Sequence, residues 1–243
     1  MKIALAQLQS EAGNIEKNIK KHIEFISKAK SHKADLIIFP ELSLTNYEPP
    51  LAKSLAMDKD DPRLHVFQQI STHDKIIIAV GMPGMLEKGP LISLIFFQPD
   101  KQRIVYSKKY LHADEEPFFV PGENIVVINV DDVNIAPAIC YEISIPEHSA
   151  TANKQKASIY LASSAKTAAG MEKSIATLSE TARKYSMDVL ICNSIGPSDD
   201  FIAWGTSTVF NKEGTIIGQL SHDTEGLLMY DTEKQRTEDN VWN

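Results

Sequence analysis

Apolar and polar positions along this chain change period several times, and each change marks an element. Lys2–Leu8 carries Ile3, Leu5 and Gln7 on one face and Ala4, Ala6 and Leu8 on the other, which predicts a strand covered from both sides. From Asn14 to His32 the period becomes helical, with Ile15, Ile19, Ile23 and Ile26 on one stripe and the lysines mostly off it. A short apolar run, Leu36–Phe39, ends at Pro40-Glu41. Asp61-Pro62 opens a second helix in cap-then-proline order, with Leu64, Phe67 and Ile70 inward. Ile76–Val80 reads as a buried strand, and Leu91–Gln98 and Arg103–Ser107 as antiparallel partners around Pro99–Gln102.

The second half repeats the alternation. Ile125–Val130 and Val133–Ile139 flank a turn at Asp131-Asp132. A helix over Pro146–Lys154 leads to a strand over Ser158–Ala162, and a helix over Glu172–Tyr185 leads to Val189–Asn193. Thr206–Asn211, the turn Lys212-Glu213-Gly214, Thr215–Leu220 and Leu227–Tyr230 follow. With neither a flexible linker nor a short repeat, residues 1–243 read as one mixed α/β domain with stacked sheets and outer helices.

Composition narrows the function. The chain of 243 residues is 43% hydrophobic, enough for a large core, and its formal net charge of -7 disfavours nucleic acid and anionic membranes as partners. The mixed charges of Asp231–Asp239 read as a solvated end. No apolar run is long enough to span a bilayer, and Gln7, Gln9 and Glu11 interrupt any secretory core, so a cytosolic location is expected. Two cysteines in a reducing compartment are expected to be free thiols, although a Cys140–Cys192 disulfide stays open. His65 with His73, and His112 with His148, lack convincing metal-ligand spacing; no metal or cofactor is called for.

Reactive groups cluster just beyond strand ends, where open α/β folds collect function. Glu41 follows LIIFP, and a carboxylate held beside a buried strand end should titrate high, as a general base requires. Cys140 follows NIAPAI at a strand-to-helix elbow, where backbone N–H groups are expected to favour a thiolate. Cys192, inside VLICN, reads as a structural thiol, and Asn193 closes that strand. Of Lys108 and Lys109, strand alternation lets only one face inward, where it would be a fixed cation able to stabilise an oxyanion.

Together these segments resemble the nitrilase, or carbon–nitrogen hydrolase, superfamily, from KIALAQLQ to TSTVFNKEGTII. FPELSLTNY resembles the segment of the catalytic glutamate, Glu41; YSKKYL that of the catalytic lysine, Lys108; and ICYEISIPE that of the nucleophile, Cys140. EEPFFVPG resembles the segment of an assisting glutamate and favours Glu115 over Glu116. The resemblance implies an α–β–β–α sandwich that dimerises through its helical layer, a Glu–Lys–Cys triad and a thioester intermediate. Its implied substrate is a small linear amide, an ω-amido acid or an N-carbamoyl amine; nitriles are the weaker option because Tyr141 stands where nitrilases carry tryptophan. Tyr47, Tyr141 and Ser164 are candidates for contacting the substrate. Departures fall at Ser144, Ile145 and LASSAKTAAG, which lacks the usual bulky aromatic. A redox-sensing thiol at Cys140 and a catalytically silent binding module remain as alternatives.

Overall fold

The computed structural model describes residues 1–123, 125–130 and 132–238. Its elements follow the periodicity closely in the first half. Strand β1 (Lys2–Gln7) leads to helix α1 (Ile15–Ser31), which Asn14 caps by accepting the Lys17 N–H at 3.2 Å. Strand β2 (Leu36–Ile38) is followed by the short helix α2 (Ala52–Leu55). Asp61 caps a 3₁₀ turn over Pro62–Leu64 that runs into α3 (His65–Asp74). Strands β3 (Ile77–Leu86), β4 (Gly89–Phe97) and β5 (Ile104–Ser107) form a meander.

β3 extends six residues beyond the expected end at Val80, through Gly81, Pro83 and Gly84. Pairing with β2 ends at Ile38↔Ala79; past that point β4 continues the ladder on one side, and on the other a single bridge joins Gly84 to Met57. Proline is tolerated at such an edge, where no neighbour needs its N–H.

In the second half, β6 (Ile128–Val130) pairs with β7 (Val133–Ile139); of the turn expected between them, Asp131 lies outside the described residues. A 3₁₀ turn over Cys140–Ser144 and α4 (Pro146–Lys154) lead to β8 (Ile159–Ser164). Helix α5 (Ala168–Tyr185) begins four residues before the expected Glu172, because Thr167 caps it through the Gly170 N–H. It leads to β9 (Asp188–Asn193). A hairpin of β10 (Ile195–Ser198) and β11 (Phe201–Trp204), unpredicted by the sequence pattern, precedes β12 (Thr208–Phe210) and β13 (Ile216–Gln219). β14 (Gly226–Asp231) pairs with β15 (Arg236–Glu238), so the segment read as a solvated end is a largely exposed turn followed by a short edge strand; Asp239 lies outside the described residues.

The strands form a seven-stranded sheet, β15-β14-β1-β2-β3-β4-β5, and a six-stranded sheet, β13-β12-β9-β8-β7-β6. Both are mixed, and both are built alike. Three parallel strands in chain order, β1-β2-β3 or β7-β8-β9, are extended by two antiparallel strands and bordered on the other side by an antiparallel one.

Side-chain alternation stacks these sheets. Ile3, Leu5, Leu36, Ile38 and Phe96 of one sheet share a core with Ile135, Ile159, Leu161 and Leu190 of the other. The opposite face of the first sheet, Ala4, Ala6, Ile37 and Ile78, packs on Phe25 and Ile26 of α1 and Phe67 of α3. The outer face of the second, Ala136, Tyr160 and Val189, packs on Ala152 of α4 and Leu178 and Ala182 of α5. The result is the expected α–β–β–α sandwich. Among the described residues, no helix is long and apolar enough to cross a membrane.

Hydrogen bonds join the carboxyl ends of the two sets of parallel strands. Ser163 Oγ donates to the Phe39 carbonyl at 2.8 Å, and the Cys192 thiol lies 3.3 and 3.4 Å from the carbonyls of Ala6 and Ile38. Cys192 is thus a packed structural thiol, and both cysteines are free.

Candidate active site

Glu41, Lys108, Glu115 and Cys140 reach one place from four different chain segments. Glu41 sits in the turn after β2, held by a Ser43 N–H to Pro40 carbonyl bond and a Leu44 N–H to Gly81 carbonyl bond. Lys108 follows β5, its N–H on the Ile92 carbonyl and its carbonyl receiving the Gly122 N–H. Its ammonium is fully buried and donates to Glu41 Oε1 at 2.8 Å and Glu115 Oε1 at 2.6 Å. Lys109 is only half-buried, as alternation requires of the second lysine.

Glu115 is buried while Glu116 is exposed. It accepts the His112 N–H at 2.8 Å and the Tyr47 hydroxyl at 2.9 Å. Tyr47 packs edge-on against Phe201 of β11, so the unpredicted hairpin packs beside the site.

Burial pushes the Glu41 pKa up; the Lys108 charge opposes this and the Glu115 charge adds to it. Burial alone would lower Lys108, but the negative charges of Glu41, Cys140 and Glu115 outweigh it and hold the ammonium above its ordinary pKa. Lys108 is therefore a cation across the working pH range. Glu41 Oε2 is buried without a hydrogen-bond partner, and the neighbouring Cys140 thiol weighs on its ionisation.

Cys140 stands where β7 turns into its 3₁₀ turn, with φ at +44°, a left-handed conformation rare for a residue with a side chain. The sequence led us to expect a thiolate there. Burial, reinforced by the Glu41 charge, instead raises the thiol to about 11, against the lowering effect of Lys166 and Lys108. The resting group is a protonated thiol beside a carboxylate able to take its proton.

A further carboxylate, Glu142, was missed. It is fully buried, and Oε1 accepts the Lys109 N–H at 2.7 Å while Oε2 accepts the Ile139 N–H at 2.8 Å and the Tyr106 hydroxyl at 2.5 Å. One side chain thus ties the end of β7, just before Cys140, to the chain just after Lys108. The available signal was an acidic residue two places after the cysteine, with apolar Ile143 beside it.

Of the proposed contact residues, Tyr47 lies against Glu115. Tyr141 is half-buried, its ring 5.0 Å from that of His112. Ser164 closes β8, buried, its hydroxyl without a hydrogen-bond partner. Asn193 closes β9 and bonds the backbone of Lys166 and Gly205.

Against known proteins, residues 2–239 match the carbon-nitrogen hydrolase family. The chain belongs to that family. A glutamine-dependent NAD(+) synthetase from Acinetobacter baylyi is 28% identical over 97% of this chain, but that match is 45% of the synthetase. The chain spans about half the length of the first curated relatives it matches. A 2-oxoglutaramate amidase from Bacillus subtilis is 22% identical, over 97% of this chain and 92% of its own. The fold is shared with a mutant of the amidase from Nesterenkonia sp. AN1 in complex with butyramide, at a TM-score of 0.88 and 22% identity, covering 97% and 92% of the two chains.

Proposed function

We propose that the protein hydrolyses the C–N bond of a small linear amide through a thioester on Cys140. The observation that carries this is the buried Lys108 ammonium bonded to both Glu41 and Glu115 beside a protonated thiol. In two mutants of the Nesterenkonia amidase, the active site cysteine carries acrylamide by Michael addition or the acetamide moiety of fluoroacetamide covalently, which supports a nucleophilic role for Cys140 here.

Glu41, its free Oε2 nearest the task, takes the thiol proton as sulfur attacks the amide carbonyl. Lys108 and the Tyr141 N–H, one of the first N–H groups of its turn and so beyond the reach of an intrahelical acceptor, stabilise the oxyanion. Glu41 then gives the proton to the leaving ammonia or amine. It next takes a proton from water, which attacks the thioester and releases the carboxylic acid and free thiol. Glu115 holds Lys108 in place. Coupling thiol deprotonation to attack suits a thiol raised to about 11, whereas a redox-sensing role would need a thiolate at neutral pH.

The test is intact mass after acid quenching with a panel of amides, carbamoyl amines and nitriles, with released ammonia assayed in parallel. Wild type should gain an acyl mass that Cys140→Ala lacks, and ammonia should appear only with wild type. Absence of adduct and ammonia across the panel would refute the reading. Lys108→Ala should lose at least ~100- to 1000-fold in turnover, as loss of an oxyanion donor does. It should also be less stable by about 3–5 kcal/mol in urea unfolding, because two buried carboxylates lose their cation.

A further inference from the structure

Glu142 takes no part in the chemistry above, yet its hydrogen bonds reach both sides of the reacting centre. It is the third residue of the 3₁₀ turn that Cys140 opens, and Oε2 reaches back to the N–H of Ile139, the residue before the turn, as a glutamate does in a capping box. Between the two lies Cys140 in its left-handed conformation, which persists only where surrounding contacts over-determine it. On the other side, Oε1 accepts the N–H groups of Lys109 at 2.7 Å and Tyr110 at 3.3 Å, the two residues that follow Lys108.

A chain of buried side chains ends on the same carboxylate. Tyr106 donates to Oε2, so its oxygen accepts the Nε2 proton of His148 at 2.9 Å, and the unprotonated Nδ1 of that neutral ring accepts from the Tyr160 hydroxyl at 2.7 Å. All four side chains are buried, and every link points one way because an ionised carboxylate can only accept.

An amide at position 142 could not hold this arrangement. Its oxygen could serve one pair of donors, Lys109 with Tyr110 or Ile139 with Tyr106, and its NH2 would face the other pair. Towards Lys109 and Tyr110 the NH2 meets two backbone donors that cannot turn. Towards Tyr106 it meets a hydroxyl that can, so the amide should lie that way round. The chain then reverses: the amide donates to Tyr106, Tyr106 to His148 Nε2, and His148 Nδ1 to Tyr160. The Ile139 N–H, beside the nucleophile, loses its acceptor.

We propose that Glu142 is a positioning residue of this active site, holding the Cys140 turn in register with Lys108 through Ile139 on one side and Lys109 and Tyr110 on the other. This rests on the reading of Cys140 as an amide-cleaving nucleophile.

The experiment makes three measurements on wild type, Glu142→Gln and Tyr106→Phe. With butyramide, or whichever amide of the panel wild type cleaves fastest, Glu142→Gln should lose ~10- to 100-fold in kcat, as a displacement of about 1 Å can, while KM stays within ~2-fold. Nitrogen NMR of the histidine rings should show the His148 proton moved from Nε2 to Nδ1. The midpoint pH for alkylation of Cys140 by iodoacetamide should fall by at least ~1 unit, because a loosened turn moves the thiol towards water and away from the Glu41 charge. Tyr106→Phe spares both backbone ties and should lose far less kcat. Unchanged kcat and midpoint in Glu142→Gln, or an equal loss in Tyr106→Phe, overturn the proposal. So does a His148 proton that stays on Nε2, since Glu142 would then not be the end of that chain. If Glu142→Gln does not fold, Glu142→Asp decides: one methylene shorter, it can reach only one side, and a wild-type kcat there refutes the positioning role. Should wild type cleave no amide of the panel, the amidase reading itself fails. The alkylation midpoint then judges Glu142 alone, a lowered value in Glu142→Gln upholding its hold on Cys140 and an equal one refuting it.

Discussion

A Cβ on Gly81 would stand 2.3 Å from the Pro40 carbonyl oxygen and 2.6 Å from the Leu42 amide nitrogen. One on Gly122 would stand 2.2 Å from the Ser107 carbonyl oxygen. The backbones bearing Glu41 and Lys108 therefore each rest on a glycine, and contacts this close are with main chain that cannot swing aside. Gly81→Ala should keep a native circular dichroism spectrum but push the Glu41 turn outward. Displacements of about 1 Å can cost ~100-fold in rate, so turnover should fall ~10- to 100-fold in an ammonia assay; an unaffected rate would show that Glu41 tolerates movement. Cys140 yields a second expectation. With the thiol raised to about 11, alkylation by iodoacetamide should be slow at neutral pH and climb steadily as pH approaches that value. A midpoint below pH 8, followed by mass spectrometry, would contradict the protonated resting state. Glu41, raised by burial, should set the acid limb of activity above the ordinary carboxylate range, since the proposed mechanism needs it ionised. The motifs made Glu41, Lys108, Glu115 and Cys140 legible as residues. They could not reveal the thiol's resting state, which depends on burial and on the Glu41 charge, nor Glu142 and Gly81, whose parts depend on contacts distant in sequence.

At the level of elements, two buried histidines connect helices to the strands and turns that carry the site. His22 of α1 lies 2.7 Å from the Asn18 carbonyl through Nδ1 and 2.9 Å from the Ser43 hydroxyl, in the Glu41 turn, through Nε2. His148 of α4 joins the Tyr160 and Tyr106 hydroxyls at 2.7 and 2.9 Å. Since Tyr106 donates to Glu142, its oxygen takes the Nε2 proton of His148, which fixes the tautomer by its partners. Burial lowers His22 to about 3 and His148 to about 4, so the 3.5 Å approach of His148 to Glu142 is not an ion pair at neutral pH. The folded state then refuses protons that the unfolded chain takes up. Their contribution to stability is whole above about 6.5 and falls as pH drops towards 4 and 3, by up to about 1.4 kcal/mol per pH unit for each histidine. Glu41 and Glu142, both raised by burial, work in the opposite sense, so the measurement is a comparison. Urea midpoints at pH 7 and pH 5 should fall less for His148→Gln than for wild type; equal falls would remove His148 from the account. Element boundaries were readable wherever one face was apolar. The β10–β11 hairpin was not, because Gly196, Pro197, Asp199 and Asp200 signal a loop, and the contacts that hold it, with Leu8, Asn46, Tyr47 and Lys166, are distant in sequence.

At the scale of the molecule, the sequence predicted layers but not their likeness. β1-β2-β3-β4-β5 and β7-β8-β9-β12-β13 repeat one order and one set of directions, yet share no sequence period, because stacking constrains only where apolar side chains fall. The sheets meet at the carboxyl ends of their parallel strands, which is why Glu41 after β2 and Cys140 after β7 come together although about a hundred residues separate them. One pairing has a further consequence. β1 completes its ladder with β14, in a register running from Lys2↔Asp231 to Gln7↔Gly226. During synthesis at ~5–20 residues per second, the free side of β1 waits roughly 10 to 45 s for that partner. Throughout that interval an apolar strand edge stands open to any passing chain. A chain ended at Ser221 keeps the edge open for good, and should leave the soluble fraction on centrifugation while the whole chain stays in solution. For a nascent copy of this protein, the hazard lies in the time before β14 emerges, and a chaperone that shields β1 would need to hold it for that long.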